Sequence, residues 1–210
     1  MCAIAIDKPG CTWFEPGTVL FRSYMPPNDA RPSPLPDFDY SKVTITEAAR
    51  ATSAAPTYLP QMIIQKVKFW DGGLLNNNPI DQVWSARYDL AIDSHVEPNI
   101  SCVVSIGTTI SKQKRVSGWS FLNKVTETMS FATNTEAKHH DFQRNNSRCN
   151  LRKPKEEITQ YFRFNAPLGD TRVDLADYRK IPLLKQKTEE YLETNEVQIQ
   201  IKRCAELLAR

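Results

Sequence analysis

Asp71, Gly72 and Gly73 are the residues in this sequence whose types and setting point most directly to acid–base chemistry. A carboxylate held within hydrogen-bond reach of a hydroxyl can take its proton in a transition state. Glycines just after it permit positive φ and a tight turn, and they clear side chains from around the carboxylate. Taken alone, Asp-Gly-Gly is an ordinary turn in most proteins. Other candidates are weaker. His139 and His140 are adjacent, so on a helix they point about 100° apart and make no i, i+4 metal pair; they read as surface residues. Cys2, Cys11, Cys102, Cys149 and Cys204 are scattered and form no C-x-x-C. They read as free thiols in a reducing, cytoplasmic compartment. No His, Cys, Asp or Glu cluster has ligand spacing, and neither a metal nor a cofactor is expected.

The elements around Asp71 follow from local patterning. Thr46–Ala55 is rich in small residues, which favour helix and close packing. Thr44 with Glu47 fits a capping box, so the helix starts there. Pro56 and Pro60 end it. Lys66–Trp70 alternates polar and apolar residues and predicts a strand that delivers Asp71 at its end. Asn78 suits an N-cap and Pro79 the first helical position. The helix that follows is expected to bury Ile80, Val83 and Trp84, which share one face. Asp71 thus sits on a strand–turn–helix crossing.

The whole block carries more information than its parts. AARATSAAPTYLP (48–60) followed by WDGGLLNNNP (70–79) resembles the second half of the patatin-like phospholipase domain. VVSIGT, near Cys102 to Thr108, and YFRFNAPLG, near Tyr161 to Gly169, resemble later segments of the same family. The resemblance implies an α/β three-layer sandwich with a mostly parallel central sheet. It implies that Asp71, in the turn Asp71-Gly72-Gly73, is half of a Ser-Asp dyad. It implies lipid esters, glycerophospholipid or acylglycerol, as substrates, met at a membrane surface. The family's G-x-S-x-G nucleophile elbow is not in these residues. Ser120 follows Gly118, but Phe121 and Leu122 break the pattern; Ser105 lacks the upstream glycine; Ser53 lies within the alanine-rich helix. The expectation is therefore one partial domain over 1–210, resembling the family's C-terminal portion, with the N-terminal part missing. Its aspartate block is 46–79 and its closing strands and helices occupy 100–210. Met1 then reads as an internal start, a truncated gene model or the start of a shortened isoform. Two functions stay open: the C-terminal half of a lipid acyl hydrolase, inactive by itself, or a shortened non-catalytic form that binds lipid or a protein partner.

Composition bounds the rest. The chain has 210 residues, 40% hydrophobic and 24% charged, within globular norms. A net charge of +3 does not predict nucleic-acid binding. No apolar run approaches the roughly 20 residues that span a bilayer, and MCAIAIDKPG is not a signal peptide. Cys2–Ile6 is fully apolar and reads as a buried parallel strand. Val19–Tyr24 reads as a second strand. The proline-rich stretch from Pro26 to Asp39 is a loop, either a lid or an irregular connection. Ser101–Ile106 is a central-strand candidate ending at Gly107. Lys112–Arg115 and Arg148–Lys155 read as basic, solvated loops. Trp119–Phe142 reads as a long helix, Thr159–Asn165 as a late strand, and Tyr178–Glu193 and Asn195–Arg210 as closing helices.

Overall fold

The computed structural model describes residues 1–10, 14–24, 34–35, 37–90, 98–108, 110–111, 135–171, 173 and 176–209. They are α/β. By contact they fall into two compact units: the described residues up to Pro98 with 135–138, and those from Asn99 onward with the helix that continues from His139.

The first unit is built on a four-stranded sheet, ordered β2-β1-β4-β3. Its strands are β1 (Cys2–Asp7), β2 (Gly17–Leu20), β3 (Met62–Ile64) and β4 (Val67–Asp71). Every pairing is antiparallel. This corrects the parallel assignment of the apolar segment at Cys2–Ile6. The connection over residues 8–16 is too short for the crossover that parallel neighbours need. The apolar run reflects burial on both faces: Ala3 and Ala5 are buried on one side and Ile4 on the other. Between β3 and β4 lie Gln65 and Lys66, with φ of 49° and 68°. Two successive positive φ values give the turn whose twist suits a two-residue hairpin. The predicted strand at Lys66–Trp70 is therefore displaced by one residue, because Lys66 belongs to the turn.

One face of this sheet carries Ala3, Ala5, Val19, Val67 and Phe69, all at most 1% exposed. The helix α1 (Ile45–Thr52) packs there through Ala48 and Ala51. The capping box forms as expected: Glu47 N donates to Thr44 Oγ1 at 3.2 Å, and Thr44 N donates to Glu47 Oε2 at 2.9 Å. Phe21, Phe38 and Phe69 close the core, with Phe21–Phe69 ring centroids 5.4 Å apart. Such pairs add about 0.5–1.5 kcal/mol to area burial. Leu35 is also buried in this cluster, so the proline-rich stretch is anchored here by Leu35 and Phe38; residues 25–33 and 36 lie outside the described residues.

Beyond Asp71 come α2 (Gly73–Asn76) and α3 (Ile80–Ala86). The latter starts one residue later than predicted, behind Pro79 and without a side-chain cap. Asn78 does not cap it. Its amide donates instead to the Thr135 carbonyl at 3.3 Å, at the start of α4 (Thr135–Asn150). Ile80 is buried, but Val83 is 60% exposed, so the apolar face of α3 is narrower than its spacing suggests.

In the second unit β5 (Cys102–Ile106) pairs in parallel with β7 (Gln160–Phe164), and β6 (Ile110–Ser111) with β8 (Pro167–Gly169). The predicted mostly parallel sheet is thus a mixed arrangement, with parallel pairing in this unit alone among the described residues. Helices α5 (Ile181–Leu192) and α6 (Asn195–Leu208) follow where expected. α6 packs Cys204 and Leu207 on Phe162, with Cys102, Val104 and Phe164 alongside. The start of β7 is fixed by α4. Asn146 and Asn150 both donate to the Thr159 carbonyl, at 3.0 and 2.8 Å, and Thr159 N donates to Asn150 Oδ1 at 3.0 Å. α4 runs through Arg148, which the sequence assigns to a basic loop. The helix predicted at Trp119–Phe142 lies outside the described residues up to 134, as do the basic residues Lys112–Arg115. Among the described residues no helix is long and apolar enough to cross a membrane.

Candidate active site

Asp71 ends β4, opposite Ala3 of β1. Side chains alternate along a strand, so Asp71 shares its face with Val67 and Phe69, at the end of the core that α1 covers. Its amide donates to the Ala54 carbonyl just past α1 at 3.1 Å. Gly73 N donates to Asp71 Oδ1 at 2.6 Å. Backbone bonds before and after the residue therefore fix the carboxylate. Asp71 Oδ2 has no hydrogen-bond partner among the described residues, and no described serine bonds to the carboxylate. Such an arrangement can take a proton from a hydroxyl brought to Oδ2.

The glycines work differently from the sequence expectation. Gly72 has φ of −60° and ψ of −28°, ordinary helical backbone, and positive φ is confined to other residues. Gly72 is needed for approach instead. A Cβ there would lie 2.1 Å from the Cys2 carbonyl oxygen. A Cβ on Gly73 would stand 3.0 Å from Asp71 Oδ1. Close passage of β1 behind the turn and the bond to Oδ1 both rely on missing side chains.

A polar network backs the turn, and the sequence did not reveal it. Asn76 is 8% exposed. Its amide donates to Thr18 Oγ1 at 2.8 Å, and its Oδ1 accepts from Gln82 Nε2 at 3.3 Å. Thr18 pairs with Ile4, on the sheet face opposite α1. Asn76 thus ties the first helical turn after Asp71 to the far side of the sheet. Thr52 of α1 donates to the Cys2 carbonyl. Burial pushes the Cys2 thiol up, against the lowering effects of the Met1 ammonium and the Asn76 hydrogen bond; the Asp71 charge adds to the rise. Held toward its protonated form, the Cys2 thiol is a slow nucleophile and serves here in packing behind the turn. The asparagine run 76–78 is visible in the sequence, but only the fold assigns its members separate partners.

The remaining candidates are placed elsewhere. Ser53 donates back to Ala49 and Arg50 carbonyls, at 2.9 and 3.3 Å. Ser105 is buried in β5 and accepts from Arg163 Nη1 at 2.9 Å. Ser120 lies outside the described residues. His140 is exposed, as expected. His139 is half-buried, its Nδ1 3.1 Å from the Tyr161 hydroxyl. Among the described residues no three His, Cys, Asp or Glu side chains are grouped to hold a metal ion.

Comparison with known proteins covers this region and more. The family described as patatin-like phospholipase matches residues 13–84. Patatin-like phospholipase 1 of Plasmodium falciparum is 30% identical over 193 residues, covering 80% of this chain and 27% of its own length. Phospholipase A I of Arabidopsis thaliana is 28% identical over 158 residues, covering 73% of this chain and 11% of its own length. This chain therefore spans about a quarter or less of the curated relatives it matches. The matched stretch contains α1, the β3–β4 hairpin, Asp71 and both glycines of its turn. Residues 13–84 of this chain match the patatin-like phospholipase family.

Proposed function

We propose that Asp71 is the general base of a serine–aspartate lipid acyl hydrolase, and that these 210 residues supply the base without the nucleophile. The observation that carries this reading is the fixed carboxylate. Oδ1 is held by Gly73 at 2.6 Å, and Oδ2 has no partner among the described residues. In the proposed step a serine hydroxyl gives its proton to Oδ2 while its oxygen attacks the ester carbonyl. The proton then passes to the departing alkoxide, and water repeats the sequence on the acyl-enzyme. The serine comes from a segment outside these residues, since they contain no G-x-S-x-G. The substrates are glycerophospholipid or acylglycerol esters, reached at a lipid surface.

The same missing elbow favours one second reading, a non-catalytic lipid- or protein-binding module. Activity separates the two. The purified chain is expected to turn over neither a short-chain aryl ester nor phospholipid vesicles; turnover blocked by a fluorophosphonate would overturn the assignment. In a longer protein that includes an upstream elbow serine, Asp71→Asn is expected to lower activity by roughly 100- to 10,000-fold, the range for loss of a positioned base. Its melting temperature should barely move, because the amide oxygen still accepts from Gly73. A fully active Asp71→Asn protein would remove Asp71 from the chemistry. A longer protein inactive even with Asp71 intact would favour the binding module.

A further inference from the structure

The geometry points to a reversible disulfide between Cys102 and Cys204, a modification site that would staple α6 onto β5. Both cysteines are free thiols. Cys102 opens β5, and its partner in the parallel ladder is Gln160 of β7. Arg203 Nε donates to Gln160 Oε1 at 3.2 Å. Arg203 directly precedes Cys204, so the turn of α6 that carries Cys204 is anchored at the rung that carries Cys102. On that face Cys204 is 6% exposed and packs with Phe162 and Leu207, and Cys102 packs against the same cluster. Cys102 and Cys204 therefore meet on the same side of the β5–β7 pair. A disulfide needs Cβ atoms about 3.8 Å apart, after which rotation about the Cα–Cβ bonds brings the sulfurs into bonding range.

The pair is asymmetric in the way a two-step oxidation requires. Cys102 is half-buried and open to a small oxidant, whereas Cys204 is buried beside it. The oxidant is a hydroperoxide. The Cys102 thiolate attacks the peroxide oxygen, becomes a sulfenic acid and releases water when the peroxide is hydrogen peroxide. The Cys204 sulfur then attacks the sulfenic sulfur. The S–O bond breaks, the S–S bond forms, and a second water leaves. Two thiols lose two electrons and two protons, and one peroxide becomes two waters. Burial, followed by the neighbouring Cys204, pushes the Cys102 thiol up. The Cys102 thiol is therefore held toward its protonated form, and its oxidation is slow. Cys149 is exposed on α4 and serves as an internal reference for reagent access.

The test uses the full chain treated with hydrogen peroxide, then alkylated, digested and mapped by mass spectrometry. The expected product is a peptide pair joining Cys102 to Cys204, short of two hydrogens and restored by dithiothreitol. A cross-link closing a loop of about a hundred residues restricts the unfolded chain. The oxidised protein should therefore melt several degrees higher than the reduced one. Cys102→Ser and Cys204→Ser should each abolish the linkage and the shift in melting temperature. Cys204→Ser buries a hydroxyl, so Cys102→Ser at the more exposed position keeps the test decisive if the former does not fold. Alkylation of both thiols under conditions that oxidise Cys149 would overturn the proposal. So would Cys204 linked only to another cysteine or only between molecules.

Discussion

Gly72 shows how little room surrounds the candidate base. The methyl of alanine would meet the Cys2 carbonyl oxygen at 2.1 Å, and that oxygen belongs to a strand held on both sides. No flexible side chain can yield there. Gly72→Ala is therefore expected to cost about 1–3 kcal/mol, the range for overpacking, measured by denaturant unfolding. A variant as stable as the parent would mean that β1 does not pass this close to the turn. The turn around Asp71 is readable in the sequence because its block is local and contiguous. The reason for Gly72 is not, because the atom it avoids lies about seventy positions away in the chain, brought there by long-range strand pairing. Asn76 escapes notice for the same reason: its partner is Thr18, across the sheet.

At the scale of elements, α1 was the most legible. Thr44 and Glu47 are three residues apart, and both arms of the capping box form. Hydrogen bonds from the Thr44 backbone, then its side chain, hold the Glu47 carboxyl below its ordinary value. A depressed folded value means stabilisation that is complete above the unfolded pKa, near 4.3, and lost as pH falls through the lower folded value. Melting temperature should therefore decline across this acidic window more steeply in the parent than in Glu47→Gln. The glutamine can keep the box but carries no proton to gain. Parallel slopes in the two proteins would exclude this role for Glu47. Thr44→Ala should cost about 1 kcal/mol at neutral pH. β1 was less legible. Its composition announced burial but not direction, since an apolar run is equally at home in any strand covered on both faces. Asn78 departs from the capping expectation because a good capping residue beside a proline also serves when its amide must reach another element.

For the whole molecule, the described sheet ends in two open strands, β2 and β3. β3 is only Met62–Ile64, with Ile63 56% exposed, and Trp70 on the neighbouring strand is 38% exposed. Short edges limit unwanted pairing, but apolar side chains beside an open edge invite it. The purified chain should bind a hydrophobic dye and show concentration-dependent association in sedimentation. A dye-silent monomer at all concentrations would show that these side chains are covered. The arrangement of secondary structure was largely readable from periodicity. Sheet direction was not, because it depends on which strands meet, and that is settled by connection length and turn geometry.

The hairpin between β3 and β4 also acts as a ruler. Gln65 and Lys66 set its zero, and Asp71 falls on the core-side face because it lies an even number of positions beyond Val67. Deleting or adding one residue within β4 would turn the carboxylate to the opposite face, and a change of two would return it displaced by about 6–7 Å. The placement of the carboxylate therefore depends on the length of this segment. Exchanging Lys68 or Trp70, whose side chains point away from the buried face, is expected to leave the carboxylate in place, while a single inserted codon would misplace it with every side chain unchanged.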